Sequence, residues 1–114
     1  MTTKNPMELL TIVAPEFAKN QMEAKNLLFG DPRYQAVPNK YKLLAGIAVA
    51  AALGSVTCTD MWTKQALQAG ADPKEIAEIL QVARYMKMAT VNDTISSTLE
   101  MLLDNREIST VSER

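Results

Sequence analysis

The chain has 114 residues, 47% of them hydrophobic, with 12 Lys+Arg against 13 Asp+Glu. That is the size of one domain, and near-cancelling charge without a basic run excludes a nucleic-acid or anionic-membrane partner held by field alone. One Trp, three Tyr and two Phe are too few for a base-stacking surface, and the absence of histidine removes imidazole as base, proton shuttle or metal ligand.

The single cysteine, Cys58, has no internal disulfide partner. With no histidine beside it, a zinc site is not expected, nor is any cofactor. A lone thiol suits a reducing, cytoplasmic setting. The longest apolar run, Leu43 to Leu53, rises about 1.5 Å per residue and falls short of the roughly 30 Å hydrocarbon layer. The first residues, Met1-Thr2-Thr3-Lys4-Asn5-Pro6, lack a signal-peptide apolar core. A soluble chain with no membrane partner is expected.

In chain order, Asn5-Pro6 reads as a helix cap followed by Pro at the first helical position, opening a short helix through Val13. Pro15 starts the next, with Ala14, Phe17, Ala18, Ala24 and Leu28 on one side, interrupted by Gln21 and Lys25. Gly30-Asp31-Pro32 ends it, and a loop runs to about Pro38. Asn39 is expected to cap a central helix over residues 39–54, wet at Lys40 and Lys42 and apolar on every side from Leu43 onward. A helix apolar all round is buried all round, and a chain this small has too little interior to enclose one. Partner subunits are expected to supply part of the cover. Ala45, Gly46, Ala48 and Ala50 to Ala52 leave room for close neighbours.

A further helix runs from about Cys58 to Ala69 and stops at Gly70, with Cys58, Met61, Trp62, Ala66 and Ala69 on one face. Asp72-Pro73-Lys74-Glu75 is a strong start signal. Ile76, Ile79, Leu80 and Ala83 follow at helical spacing. A final helix carries Met88, Val91, Ile95, Leu99 and Leu102, with a break expected near Met86-Lys87. The tail 105–114 is polar and expected to fray unless it docks on another subunit. No strand-like alternation and no internal repeat stand out. The expectation is all-α, with one domain over 1–104 and a polar tail after it.

Chemistry concentrates in Ser55-Val56-Thr57-Cys58-Thr59-Asp60-Met61-Trp62. Cys58 falls in the first turn of a helix, whether Ser55 or Thr57 caps it. Unpaired amides and the helix dipole favour an anion there, hence a thiolate. Ser55, Thr57 and Thr59 would donate hydrogen bonds to it. Asp60 opposes it, and Lys64 is the one close positive charge. The alternative is a small, buried, inert thiol.

The order of these parts resembles the carboxymuconolactone decarboxylase and alkylhydroperoxidase D-like superfamily. Its members have an apolar helix ending in Leu-Gly, a Cys-x-x-Cys-x-x-x-His turn and helix, an Ala-x-x-Ala-Gly helix end and an x-x-Glu-Ile-x-Glu-(Val/Ile)-Leu helix. Here these read as Ala48–Gly54, Ser55–Trp62, Ala66–Gly70 and Lys74–Leu80. With weaker matches, the resemblance covers roughly residues 7–103. It implies an alkylhydroperoxidase D-like bundle of about six helices and a homo-oligomer, trimer or hexamer. The departures sit on the functional residues. The first cysteine is Ser55, the second is kept as Cys58, the histidine is Trp62, and the glutamate twelve residues before the first cysteine is Leu43.

Three readings follow. The resemblance implies a thiol-dependent antioxidant enzyme with peroxiredoxin-type activity, here running on Cys58 alone, with Ser55 as hydrogen-bond donor and Leu43, Thr57 and Trp62 lining the pocket for a peroxide. Loss of Glu, Cys and His together instead predicts a non-catalytic oligomeric binding or scaffold protein, with Trp62 filling the old pocket or stacking on a flat apolar ligand. A third reading keeps the pocket for a small organic acid, as in the decarboxylase relatives, held by Lys40, Lys42 or Lys64.

Overall fold

The computed structural model describes residues 4–113, with side chains through residue 105. Among the described residues there are five α-helices and no strand: α1 (Pro6–Val13), α2 (Pro15–Gly30), a 3-10 turn (Pro32–Tyr34), α3 (Asn39–Leu53), α4 (Val56–Gln68) and α5 (Pro73–Glu113). The all-α expectation holds, with five α-helices in place of about six. No helix among the described residues is long and apolar enough to cross a membrane. The chain forms two compact units that meet at Lys42-Leu43, within α3.

The first unit holds α1, α2 and the start of α3. Asn5 accepts the Glu8 amide at 2.8 Å and its own side-chain amide donates to the Glu8 carboxylate at 3.0 Å, so the chain starts where its Asn-Pro signal says. α1 ends at Ala14, because the residue before a proline is pushed out of helical backbone; its φ is −143° and ψ 72°. The last carbonyls of α2 have no partner within the helix. Asn39 Nδ2 donates to the Phe29 carbonyl at 2.8 Å, and Lys42 Nζ donates to the carbonyls of Leu28, at 2.6 Å, and Tyr34. Asn39 is therefore not the cap expected of it. The Pro38 carbonyl takes the amides of Tyr41 and Lys42 and opens α3, and Asn39 is spent on α2. Within the 3-10 turn Asp31 caps the Arg33 amide and pairs with its guanidinium at 2.8 Å; those hydrogen bonds hold the Asp31 carboxyl below the usual carboxylate range. Of the apolar side expected on α2, Ala18 alone is buried, and Phe17 stands 73% exposed.

The second unit holds the rest of α3, α4 and α5. The buried residues of α3 are Leu43, Leu44, Ile47 and Ala50, all on one side. The opposite row, Tyr41, Ala45, Val49 and Leu53, is exposed, Val49 by 58% and Leu53 by 79%. Burial on every side is thus not reached within one chain, as the surface-to-volume limit requires. Both α3 and α4 close through a left-handed glycine. Gly54, with φ +81°, donates to the Ala51 carbonyl at 3.1 Å and Ser55 donates to Ala50 at 3.0 Å. Gly70, with φ +98°, repeats the pattern onto Leu67, and Ala71 donates to Ala66 at 2.9 Å. Asp72 and Glu75 then cap each other, at 2.9 and 3.0 Å, and start α5.

The break expected near Met86-Lys87 is absent. α5 runs 41 residues without interruption, since neither Pro nor Gly follows Pro73 at its start. Instead Lys87 reaches sideways, and its Nζ donates to the Ala52 carbonyl of α3 at 2.7 Å. The side chains after Asn105, on which the expected polar tail rests, lie outside the described residues.

Two glycine substitutions should move stability in opposite directions. A Cβ at Gly70 meets nothing within 4 Å, but its φ of +98° is strained for any other residue. Gly70→Ala should cost about 1–2 kcal/mol. A Cβ at Gly46 meets only Trp62 Cγ at an ordinary 3.9 Å, so Gly46→Ala should stabilise the helix by roughly 0.5–1 kcal/mol. Urea unfolding followed through Trp62 fluorescence reads both.

Candidate functional site

The turn between α3 and α4 is built by the end of one helix and the start of the next. Gly54 turns the chain back on α3, which leaves Ser55 extended at φ −92° and ψ 101°. That backbone suits a cap. Ser55 Oγ accepts the Cys58 amide at 3.2 Å, and the Ser55 carbonyl takes both the Thr59 amide at 3.0 Å and the Thr59 hydroxyl at 2.6 Å. Ser55, and not Thr57, is therefore the cap, and Thr57 is exposed. Cys58 is the third residue of α4, half-buried and free. A cavity of about 200 Å³ opens at the turn. Ala51, Gly54, Ser55, Val56, Thr59 and Asp60 line it, and Cys58 does not.

The four positions that matter in relatives are now placed. Leu43 is 6% exposed in the core of α3. Gly46 lies one turn further along the same face, and the Trp62 ring covers it. Trp62 is half-buried and one turn beyond Cys58 on α4. The fold thus brings Ser55 and Cys58 together, and it seats Trp62 on α3 beside the turn that follows Leu43. The Ser55–Cys58 contact joins a hydroxyl oxygen to a backbone amide, so Ser55 acts as the cap of α4. Among the lysines suggested as carboxylate holders, Lys42 is committed to the carbonyls of Leu28 and Tyr34, and the Lys40 ammonium lies 5.8 Å from the Tyr41 ring centre.

Three residues have structural roles that the sequence reading did not assign to them. Gly46 is the seat of Trp62, and its signal was a glycine at i+3 from Leu43 on the buried face. Thr59 ties the turn through its hydroxyl, a habit of Thr in first turns. Lys87 closes the end of α3 from 35 residues away, for which the sequence carries no local signal. Chemically, the turn offers one thiol near a helix N-terminus. It offers no proton acceptor of the imidazole kind, since the chain has none.

An apolar helix closed by Leu-Gly, a capped turn and a capped long helix after it make this an all-helical protein with its one thiol at the turn between α3 and α4. The model of the carboxymuconolactone decarboxylase family matches residues 15–93, more than half of the chain, and the chain belongs to that family. No curated protein and no solved structure shows significant similarity to it.

The capping role of Ser55 is open to direct measurement. Ser55→Ala should lower stability by about 1 kcal/mol, while Ser55→Asp, an equally good cap, should retain it. Thermal unfolding of the pair separates capping from any role of the hydroxyl proton.

Proposed function

We propose that this chain is a non-catalytic member of its family, a self-associating binding or scaffold protein that has given up the redox relay. One observation carries the reading: each replaced relay position has taken a structural task. Leu43 sits in the apolar core, Ser55 caps α4, and Trp62 covers Gly46. A relay needs the reverse, namely ionisable groups that share a proton in reach of substrate. A carboxylate at position 43 would be buried among apolar side chains at high cost. Without a second thiol or an imidazole, Cys58 has neither a resolving partner nor a base.

Self-association is supported by what a single chain leaves uncovered. Leu9, Ile12, Val13 and Phe17 are exposed in the first unit, and Val49 and Leu53 in the second. Such surface is more than scattered apolar residues need explaining. A homo-oligomer, trimer or hexamer, in a reducing cytoplasmic compartment suits this chain. No membrane and no nucleic acid is invoked.

A second reading has one observation in its favour: Cys58 stays partly accessible in the first turn of α4. In a one-cysteine peroxidase its thiolate attacks a peroxide oxygen, the S–O bond forms and the O–O bond breaks. The alkoxide leaves and takes up a proton. Two molecules of an external thiol then reduce the sulfenic acid, giving a disulfide and water.

Peroxide treatment with a sulfenic-acid trap and mass spectrometry decides between them. The proposed reading expects Cys58 to oxidise no faster than an ordinary exposed thiol, with no thiol-dependent peroxide turnover. Rapid labelling with turnover, both abolished by Cys58→Ser, would overturn it in favour of the peroxidase.

A further inference from the structure

We infer that the second half of α5 is a pairing surface for a second copy of this chain, the two helices running antiparallel about a two-fold axis at Ile95. The inference rests on the self-association just proposed and names its surface.

The stripe is Met88, Val91, Ile95, Leu99 and Leu102, and every described residue from Arg84 to Asn105 is exposed. At 3.6 residues per turn, its centre lies about a third of a turn away from that of Ile76, Ile79, Leu80 and Ala83, where the buried side chains of α5 lie. The second stripe is therefore no continuation of the first, and the face already in use cannot cover it. The opposite face carries Asp93, Glu100 and Asp104, which makes this stretch amphipathic with one side left to cover. Acidic residues along that face disfavour an anionic membrane as the cover.

Two features select a second copy. The first is symmetry. Val91 and Leu99 lie four residues either side of Ile95, and Met88 and Leu102 lie seven either side. Such a stripe reads the same in both directions, as an isologous interface requires. Antiparallel pairing sets Ile95 on its own copy, Val91 on the partner's Leu99 and Met88 on the partner's Leu102. Beside Met88 and Val91 the same open face continues over Gln81, Arg84 and Tyr85, where the partner's Leu102 would arrive. The second feature is area. Five large side chains, each roughly half exposed, present on the order of 500 Å² of apolar surface, at the upper end of what a monomer leaves open. With its polar margins the face approaches the ~800 Å² per partner of a standard interface. The family match ends at Asp93, inside this helix.

The test combines size and cross-linking in a Cys58→Ser background. Light scattering after size exclusion should give an oligomer for the parent chain and a lower mass for Ile95→Asp that remains helical by circular dichroism. Ile95→Cys should cross-link to itself under mild oxidation. Met88→Cys should not do so alone, but should when mixed with Leu102→Cys. An oligomer that Ile95→Asp leaves intact, with no cross-link at 95, overturns the α5 surface and spares self-association. A monomeric parent chain overturns both. Self-cross-linking at 88, 95 and 102 alike overturns the antiparallel arrangement. If Ile95→Asp fails to fold, the cysteine series decides alone.

Discussion

Three carbonyls at the end of α3 have no partner inside their own helix, and how they are satisfied fixes the rest of the second unit. Ser55 donates to Ala50 at 3.0 Å, Gly54 to Ala51 at 3.1 Å, and Lys87 to Ala52 at 2.7 Å. The first two need a left-handed residue at 54, which a glycine supplies with little strain. They also leave Ser55 extended, which makes it the cap of α4 and puts Cys58 in its third position. The third bond comes from α5 and ties that helix to α3 where α5 begins to run uncovered. Turn, thiol position and the departure of the long helix thus follow from one accounting of backbone acceptors.

The replacements at the relay positions fit this scaffold energetically. An ionisable group in the core of α3 would lose hydration without a charge partner, and Leu43 removes that cost while adding apolar burial. The half-buried Trp62 indole adds apolar area against α3 at Gly46. Ser55 accepts the amide of residue 58 and so caps α4.

Much of the fold was legible because helix ends are written in local chemistry. Asn5-Pro6, Gly54, Gly70 and Asp72 to Glu75 each act as their residue types dictate. What was illegible depends on distant partners. Asn39 looks like a cap, but the Phe29 carbonyl ten residues earlier claims its amide. Lys87 looks like a polar interruption, because its acceptor is 35 residues away. At the site, the positions of Ser55 and Cys58 were readable, while the choice between Ser55 and Thr57 as the cap was not. Either hydroxyl can accept an amide, and only the backbone geometry chooses.

The misread break in α5 has the same origin as its unpaired surface. The apolar pattern changes phase between Ala83 and Met88, and in a sequence a change of phase resembles the end of a helix. In an unbroken helix it means instead that two faces are dedicated to two partners. The first face holds the side chains that are buried within this chain. The second, by the same logic of periodicity, is addressed to something else. The exposed row on α3 repeats the point, since Val49 and Leu53 lie opposite the buried Leu43 and Ile47. Sequence periodicity reports how many faces a helix must bury, and the fold of one chain reports how many it has buried. In α3 and α5 that difference leaves one apolar face on each that the single chain does not cover.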